Sequence, residues 1–185
     1  MSAPGCFVAV VGPSGAGKDT VLASARAALA ADERVCFVRR VITRPAGPGE
    51  DHEPISPQGF ADAEQRGSFA LSWSAHGLRY GIPSDVDARL AAGSVVVANV
   101  SRAVVAEVRR RFVRAAVVVV TAPPEVRLER IRARGREGLE AARARVARRG
   151  DTVEHDLEIV NDGTVAEAGD ALAGFLADRL APIRF

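Results

Sequence analysis

Cys6-Phe7-Val8-Ala9-Val10-Val11-Gly12-Pro13-Ser14-Gly15-Ala16-Gly17-Lys18-Asp19-Thr20 decides the fold. Its first six residues are a continuous apolar run of buried-strand length, three glycines follow, and from Lys18 onward the pattern turns helical. A strand, a glycine-rich turn and a helix together form a phosphate-binding loop, in which the turn points successive backbone N–H groups at one anion. The positive end of the following helix adds to that field. Lys18 is the only lysine among 25 basic residues. In a chain where arginine serves everywhere else, this lysine marks a place for a slim ammonium between phosphates, where a forked guanidinium is too wide. The bland alternative is a glycine turn that only joins strand to helix, and the agreement of flanks and lysine speaks against it. One letter departs from the usual G-x-x-x-x-G-K-[ST]. Asp19 stands where a hydroxyl is expected, and the hydroxyl comes one residue later at Thr20.

At 185 residues the chain suits one α/β domain with helices on both faces of a sheet. Its net charge of +2 gives no general field for nucleic acid, and aromatics at 5% are too sparse for base-stacking platforms. No apolar stretch approaches membrane-span length, and no leader pattern opens the chain, so a cytoplasmic protein without membrane or nucleic-acid partners is expected. Cys6 and Cys36 lie in apolar strands without ligand spacing and read as buried thiols. Strands are expected at 6–11, 35–41, 94–98, 115–121 and 157–160. Helices are expected at about 18–31, 101–112, 124–149 with a break near Gly135, and 164–180. This alternation predicts five parallel strands with right-handed crossovers and a ligand site outside their carboxyl ends. Residues 44–93, rich in Pro, Gly, Asp and His, read as an inserted substrate-binding region rather than a core layer.

Two arginine groups qualify for anions. Arg40 and Arg44 flank Thr43 at the end of the second strand, where guanidinium forks can hold a second phosphate bidentately; the alternative is a solvated pair. A longer cluster runs from Arg127 to Arg149, and helical spacing assigns much of it to a solvated face. Arg134-Gly135-Arg136 differs, because a glycine between arginines at a helix break can hinge a lid over a transferring phosphoryl group.

Several of these segments occur in the order seen in guanylate kinases: Gly12 to Thr20, Thr43-Arg44-Pro45, His76-Gly77-Leu78-Arg79-Tyr80-Gly81, Arg134-Gly135 and Val160-Asn161-Asp162. The resemblance spans nearly the whole chain and implies a P-loop, nucleoside monophosphate kinase-like plan of core, acceptor-binding insertion at about 44–93 and lid at about 124–149. The residues that would read guanine differ, with Leu71 and Ile82-Pro83 where the family has a glutamate and a hydroxyl. A base-reading site stripped of its polar groups implies another acceptor.

In further detail the chain resembles the ribose 1,5-bisphosphate phosphokinases, relatives of guanylate kinase. The shared features are Gly17-Lys18-Asp19, Arg40-x-x-Thr43-Arg44, Glu50-x-His52, Leu71-Ser72-Trp73, Asn99-x-Ser101-Arg102 and Arg134-Gly135-Arg136-Glu137. That resemblance implies ATP with Mg2+ as cofactors and a small sugar phosphate as acceptor. Gly12, Pro13, Ser14, Gly15, Ala16, Gly17, Lys18, Asp19, Thr20 and Asn161 are then expected at the nucleotide, and Lys18, Arg134, Arg136 and Arg145 at the transferring group. Arg40, Arg44, His52, Ser72, Tyr80 and Asn99 are expected at the acceptor. Guanylate kinases carry an aspartate where this chain has Asn99, so Asp19 is expected to supply the carboxylate near the metal. The rivals are a guanylate or other small-metabolite monophosphate kinase and a non-catalytic guanylate-kinase-like interaction module. The intact loop and lid arginines argue against the module.

Overall fold

The computed structural model describes residues 4–47, 50–133, 139–147 and 152–180. Its organising element is β1 (Cys6–Val11), six residues buried along their whole length. Alternate side chains on a strand face opposite ways, and β1 feeds two cores. Cys6, Val8 and Val10 face one apolar cluster, and Phe7, Ala9 and Val11 face the other. The first cluster is closed by α1 (Lys18–Ala28) and, from the far end of the chain, by α7 (Val165–Leu180). α7 lies so close to α1 that a Cβ on Gly169 would come 2.1 Å from the Ser24 hydroxyl. The second cluster is closed by α3 (Val86–Ala91) and α4 (Val105–Arg111), and there the Phe7 and Phe112 rings stack at 4.2 Å.

Around β1 stand β2 (Val35–Phe37), β7 (Val95–Asn99), β8 (Ala115–Thr121) and β9 (Leu157–Val160). Their order is β2-β7-β1-β8-β9 and every pairing is parallel. This is the expected five-stranded parallel sheet with helices on both faces. β1 ends in the glycine loop, and β7 ends beside it at Asn99.

The expected strand at 35–41 is two strands. After Phe37 the chain makes one more bond to the main sheet, Val38 N–H to Val97 O at 2.8 Å, and then leaves it. β3 (Arg40–Ile42) opens a second sheet with β4 (His52–Pro54), β5 (Phe69–Ala75) and β6 (Leu78–Pro83), in the order β4-β3-β6-β5. Apolar patterning runs through the junction because Val41 and Ile42 are themselves buried, so periodicity alone shows no break. The second sheet also reaches the core: Leu71 and Ile82 lie in the same cluster as Phe7 and Val96. The expectation of an insertion apart from the core is therefore corrected in part. On its outer face α2 (Pro57–Gln65) starts at Ser56, whose hydroxyl accepts from Gly59 N–H, and stacks Phe60 on Phe69 at 4.5 Å. Of the expected helix at 124–149, α5 (Pro124–Ala133) and α6 (Leu139–Ala147) are seen, and the break near Gly135 lies outside the described residues.

Leu172 on α7 is fully buried against β1 and its neighbours. Leu172→Ala is expected to cost about 2–5 kcal/mol of stability. In urea titrations the midpoint should fall while the slope stays unchanged.

Candidate active site

The loop after β1 makes two left-handed turns, at Gly15 (φ 81°) and Gly17 (φ 85°). Any side chain there would collide: a Cβ on Gly15 would lie 2.6 Å from Arg127 O, and one on Gly17 2.4 Å from Asn161 Nδ2. The loop carbonyls are bonded from outside. Lys18 Nζ donates to Gly12 O (2.8 Å) and Pro13 O (3.2 Å), and Arg127 Nε donates to Ser14 O (3.0 Å). Asn161 Nδ2 (2.8 Å) and Arg130 Nη1 (3.4 Å) both donate to Ala16 O. With the carbonyls held this way, the loop and the start of α1 suit the phosphates of a nucleotide.

Asp19, one step into α1, faces the end of β7. Asn99 Nδ2 donates to Asp19 Oδ1 at 2.7 Å, and Arg40 Nη2 stands 3.6 Å from the same oxygen. The loop acid and the strand amide, 80 residues apart in sequence, thus share one spot. A carboxylate there, with phosphate oxygens and water completing the shell, is a donor set that suits Mg2+, which takes one or two carboxylates and seldom a full protein cage. Among the described residues no group of three metal-ligating side chains gathers anywhere. Thr20 is exposed on the first turn of α1.

Arg40 projects from β3 with its side chain only 20% exposed. Burial lowers its guanidinium pKa from the ordinary value, opposed by the charge of Asp19. Arg44 is held by Glu50, whose carboxylate accepts from Arg44 Nη1 (2.6 Å) and from Gly47 N–H (3.1 Å). That bond raises the Arg44 pKa. His52 is 2% exposed, and its Nε2 lies 3.2 Å from Arg44 O. A carbonyl can only accept, so Nε2 carries the proton and His52 braces the Arg44 turn. Tyr80 on β6 pairs across the strands with Trp73, and the two rings stack at 5.3 Å.

Gly12, Lys18, Arg40, Tyr80 and Asn99 line one cavity of about 260 Å³. Arg44 and His52 line a second, which shares Lys18, Arg40 and Asn99 with the first. Most of the expected acceptor residues therefore converge on the expected nucleotide residues, as chemistry between two bound anions requires.

Ser72 does not join them. Its hydroxyl donates to Glu64 on α2 at 2.7 Å, and Arg79 pairs with the same carboxylate, so Ser72 belongs to the α2 face of the sheet. Alternation puts its neighbour Trp73 on the cleft side instead. Leu71 is sunk in the core at 1% exposure. Asn161 is a brace beneath the loop, 2% exposed, with its Oδ1 unbonded. Arg134 and Arg136 lie outside the described residues, as does the side chain of Arg145. Trp73, His76, Ser101 and Arg102 also line the 260 Å³ cavity and were not expected there. The available signal was strand alternation from Tyr80 across to Trp73, together with the position of Ser101-Arg102 just beyond a strand end.

Fold and site define a P-loop phosphotransferase. Residues 8–153 match the AAA domain family. A solved guanylate kinase from Anaplasma phagocytophilum superposes with a TM-score of 0.69 over 98% of this chain and 89% of its own, at 18% identity. The ribose 1,5-bisphosphate phosphokinase PhnN of Pseudofrankia inefficax is 52% identical over 95% of this chain and 92% of its own length. That of Brucella melitensis is 49% identical over 93% and 90%. The chain belongs to the ribose 1,5-bisphosphate phosphokinase family.

Asn161→Ala removes the shorter bond to Ala16 O from beneath the loop. Binding of a non-hydrolysable ATP analogue is expected to weaken about tenfold. Calorimetric titration gives the affinity, and a melting curve confirms that the fold is kept.

Proposed function

We propose that the whole chain acts as one kinase unit that transfers the γ-phosphoryl group of ATP to the 1-phosphate of ribose 1,5-bisphosphate, giving 5-phosphoribosyl 1-diphosphate and ADP. The observation that carries this reading is that Lys18 of the nucleotide loop and Arg40 of the second sheet line one cavity. This cavity adjoins the second one, lined by Arg44 and His52, so the acceptor candidates and the nucleotide loop face one continuous cleft. Family membership supplies the name of the acceptor.

An attacking phosphate monoester oxygen is already largely ionised near neutral pH, since its second pKa is about 6. It forms a bond to the γ-phosphorus while the bond from that phosphorus to the β,γ-bridging oxygen breaks, and ADP leaves with the electron pair. No proton has to be removed, so alignment and charge screening carry the catalysis. Lys18 presents its ammonium charge to the nucleotide phosphates while its Nζ still bonds the carbonyls of Gly12 and Pro13. Arg40, Arg44 and Tyr80 orient the acceptor phosphate, and His52 keeps the Arg44 turn in place. Asp19, oriented by Asn99, would hold Mg2+, which when bound would supply positive charge to the phosphates. Arg134, Arg136 and Arg145 are proposed to approach the transferring group from the lid. The unpaired cysteines and the use of ATP are in keeping with a cytoplasmic reaction.

A coupled ADP-release assay across ribose 1,5-bisphosphate, GMP, AMP and ribose 5-phosphate tests the reading. Ribose 1,5-bisphosphate should give the highest kcat/KM, and faster turnover of GMP or AMP would replace it with a nucleoside monophosphate kinase. Lys18→Met is expected to lower kcat at least about 100-fold. Asp19→Ala should raise the Mg2+ concentration needed for half-maximal rate and lower turnover more than it weakens ATP binding. An unchanged magnesium titration would remove Asp19 from the metal.

A further inference from the structure

The cleft has a second cationic pole that the reaction as described leaves unused. Arg102 follows the end of β7, in a 3-10 turn (Arg102–Val104) opened by Ser101, whose hydroxyl accepts from Ala103 N–H. It lines the 260 Å³ cavity at the side of Trp73, His76 and Ser101. It also lines a neighbouring cavity between the loop and the helices α5 and α6. Pro13 and Arg102 form the wall common to both.

Behind that wall stands Arg127. Its residue is 8% exposed, its Nε is committed to Ser14 O, and its Nη2 is buried without a hydrogen-bond partner. Arg102 is near enough that its charge opposes that of Arg127. Among the described residues the Arg102 side chain has no hydrogen bond or ion pair. The other arginines of the site differ: Arg44 is bonded to Glu50, and Arg40 stands beside Asp19. Glu125 lines the outer cavity but is exposed and bonds to neither guanidinium. Arg102 and the deeply buried Arg127 are like charges, and among the described residues no acid bonds to the side chain of either, an arrangement that is unfavourable until an anion arrives.

We infer that Arg102, reinforced by the buried charge of Arg127, binds the second phosphate of the acceptor, the one that does not react. Resting on the acceptor reading above, this assigns the two ends of a bisphosphate to two poles of one cavity. The reacting phosphate lies at Lys18, Arg40 and Tyr80, and the non-reacting one lies at Arg102. The sugar between them passes the Trp73–Tyr80 stack. A base-reading pocket would need paired donors and acceptors at the far end, whereas a bisphosphate needs a cation. Arg102 thereby becomes the residue that selects bisphosphates over monophosphates.

The test compares ribose 1,5-bisphosphate with ribose 1-phosphate, which keeps the reacting phosphate and lacks the other. Ribose 1-phosphate is measured as substrate or, if turnover is too slow, as a competitive inhibitor. Arg102→Gln should raise KM for the bisphosphate about 10- to 100-fold, the scale of a lost charge-assisted contact. KM for ATP and the constant for ribose 1-phosphate should move less than about threefold. Arg102→Lys, which keeps the charge, should recover part of the loss, and the melting temperature should not change in either variant. An equal loss on both acceptors, or a fall in kcat at constant KM, would show that Arg102 serves the transferring group and would overturn the assignment. Failure of the unmodified enzyme to use ribose 1,5-bisphosphate would overturn the acceptor reading itself, and this assignment with it.

Discussion

The rest of the structure depends on the outward tethering of the loop carbonyls between β1 and α1. A loop can offer its N–H groups to a phosphate only if its carbonyls are turned away and satisfied elsewhere, because an unpaired carbonyl is costly. Here Lys18, Arg127, Arg130 and Asn161 satisfy the carbonyls of Gly12, Pro13, Ser14 and Ala16. These donors come from α1, α5 and the turn after β9, so the loop sets demands on chain segments more than a hundred residues away. The parallel sheet meets those demands. It places β8 and β9 on one side of β1, from which α5 and Asn161 reach the loop, and β7 on the other, from which Asn99 reaches Asp19.

The Asp19–Asn99 contact turns a single-letter departure in the loop into a statement about the site. A carboxylate on the strand opposite a hydroxyl on the loop and a carboxylate on the loop opposite an amide on the strand both put one negative charge in the same place. The second arrangement has a consequence of its own. The amide can donate to the acid, fixing its rotamer, and can leave the other carboxylate oxygen for a cation or water. Arg40, 3.6 Å away, then senses whether that charge is engaged. Arg40 and the loop acid are thereby coupled electrostatically before any substrate is present.

Much of the core was legible because its signals are local. A six-residue apolar run, a glycine turn with a single lysine, and regular apolar runs between helical segments carry the strand–loop–helix and the parallel sheet without reference to distant residues. The second sheet was not legible. β3 and β4 are three residues each, and β3 finds its partners in β4 and, much further along the chain, in β6, so pairing rather than pattern defines them. Ser72 fails for a related reason. Motif matching gives neighbourhood but not side, and on a strand a shift of one residue reverses the face. Trp73 was therefore the residue to name. His52 lines the cleft beside Arg44 as expected, and the bond of its Nε2 to Arg44 O shows only in the fold. The chemistry of the loop was read from its letters, but the donors that shape it could not be, since Arg127 and Arg130 look like any arginine on a solvated helix until the fold sets them against the loop.

The ion pairs of the cleft also explain how a site so rich in arginine stays folded without its ligands. The reacting end carries its own acids. Glu50 holds Arg44, and Asp19 stands beside Arg40. Each acid keeps a guanidinium in a defined geometry, and each must share or yield its partner when a phosphate enters, so binding there is an exchange of one anion for another. Such an exchange returns little net affinity, because the bond gained replaces a bond lost. At the far pole no acid among the described residues bonds to the side chain of Arg102 or Arg127, so an anion arriving there has no such bond to displace. On the proposed assignment, the end of the acceptor that does not react contributes affinity that the exchange of anions at the other end does not. Energy gained at the silent phosphate can then hold the reactive one in line with the nucleotide, as binding energy from remote parts of a substrate is used to orient the reacting centre.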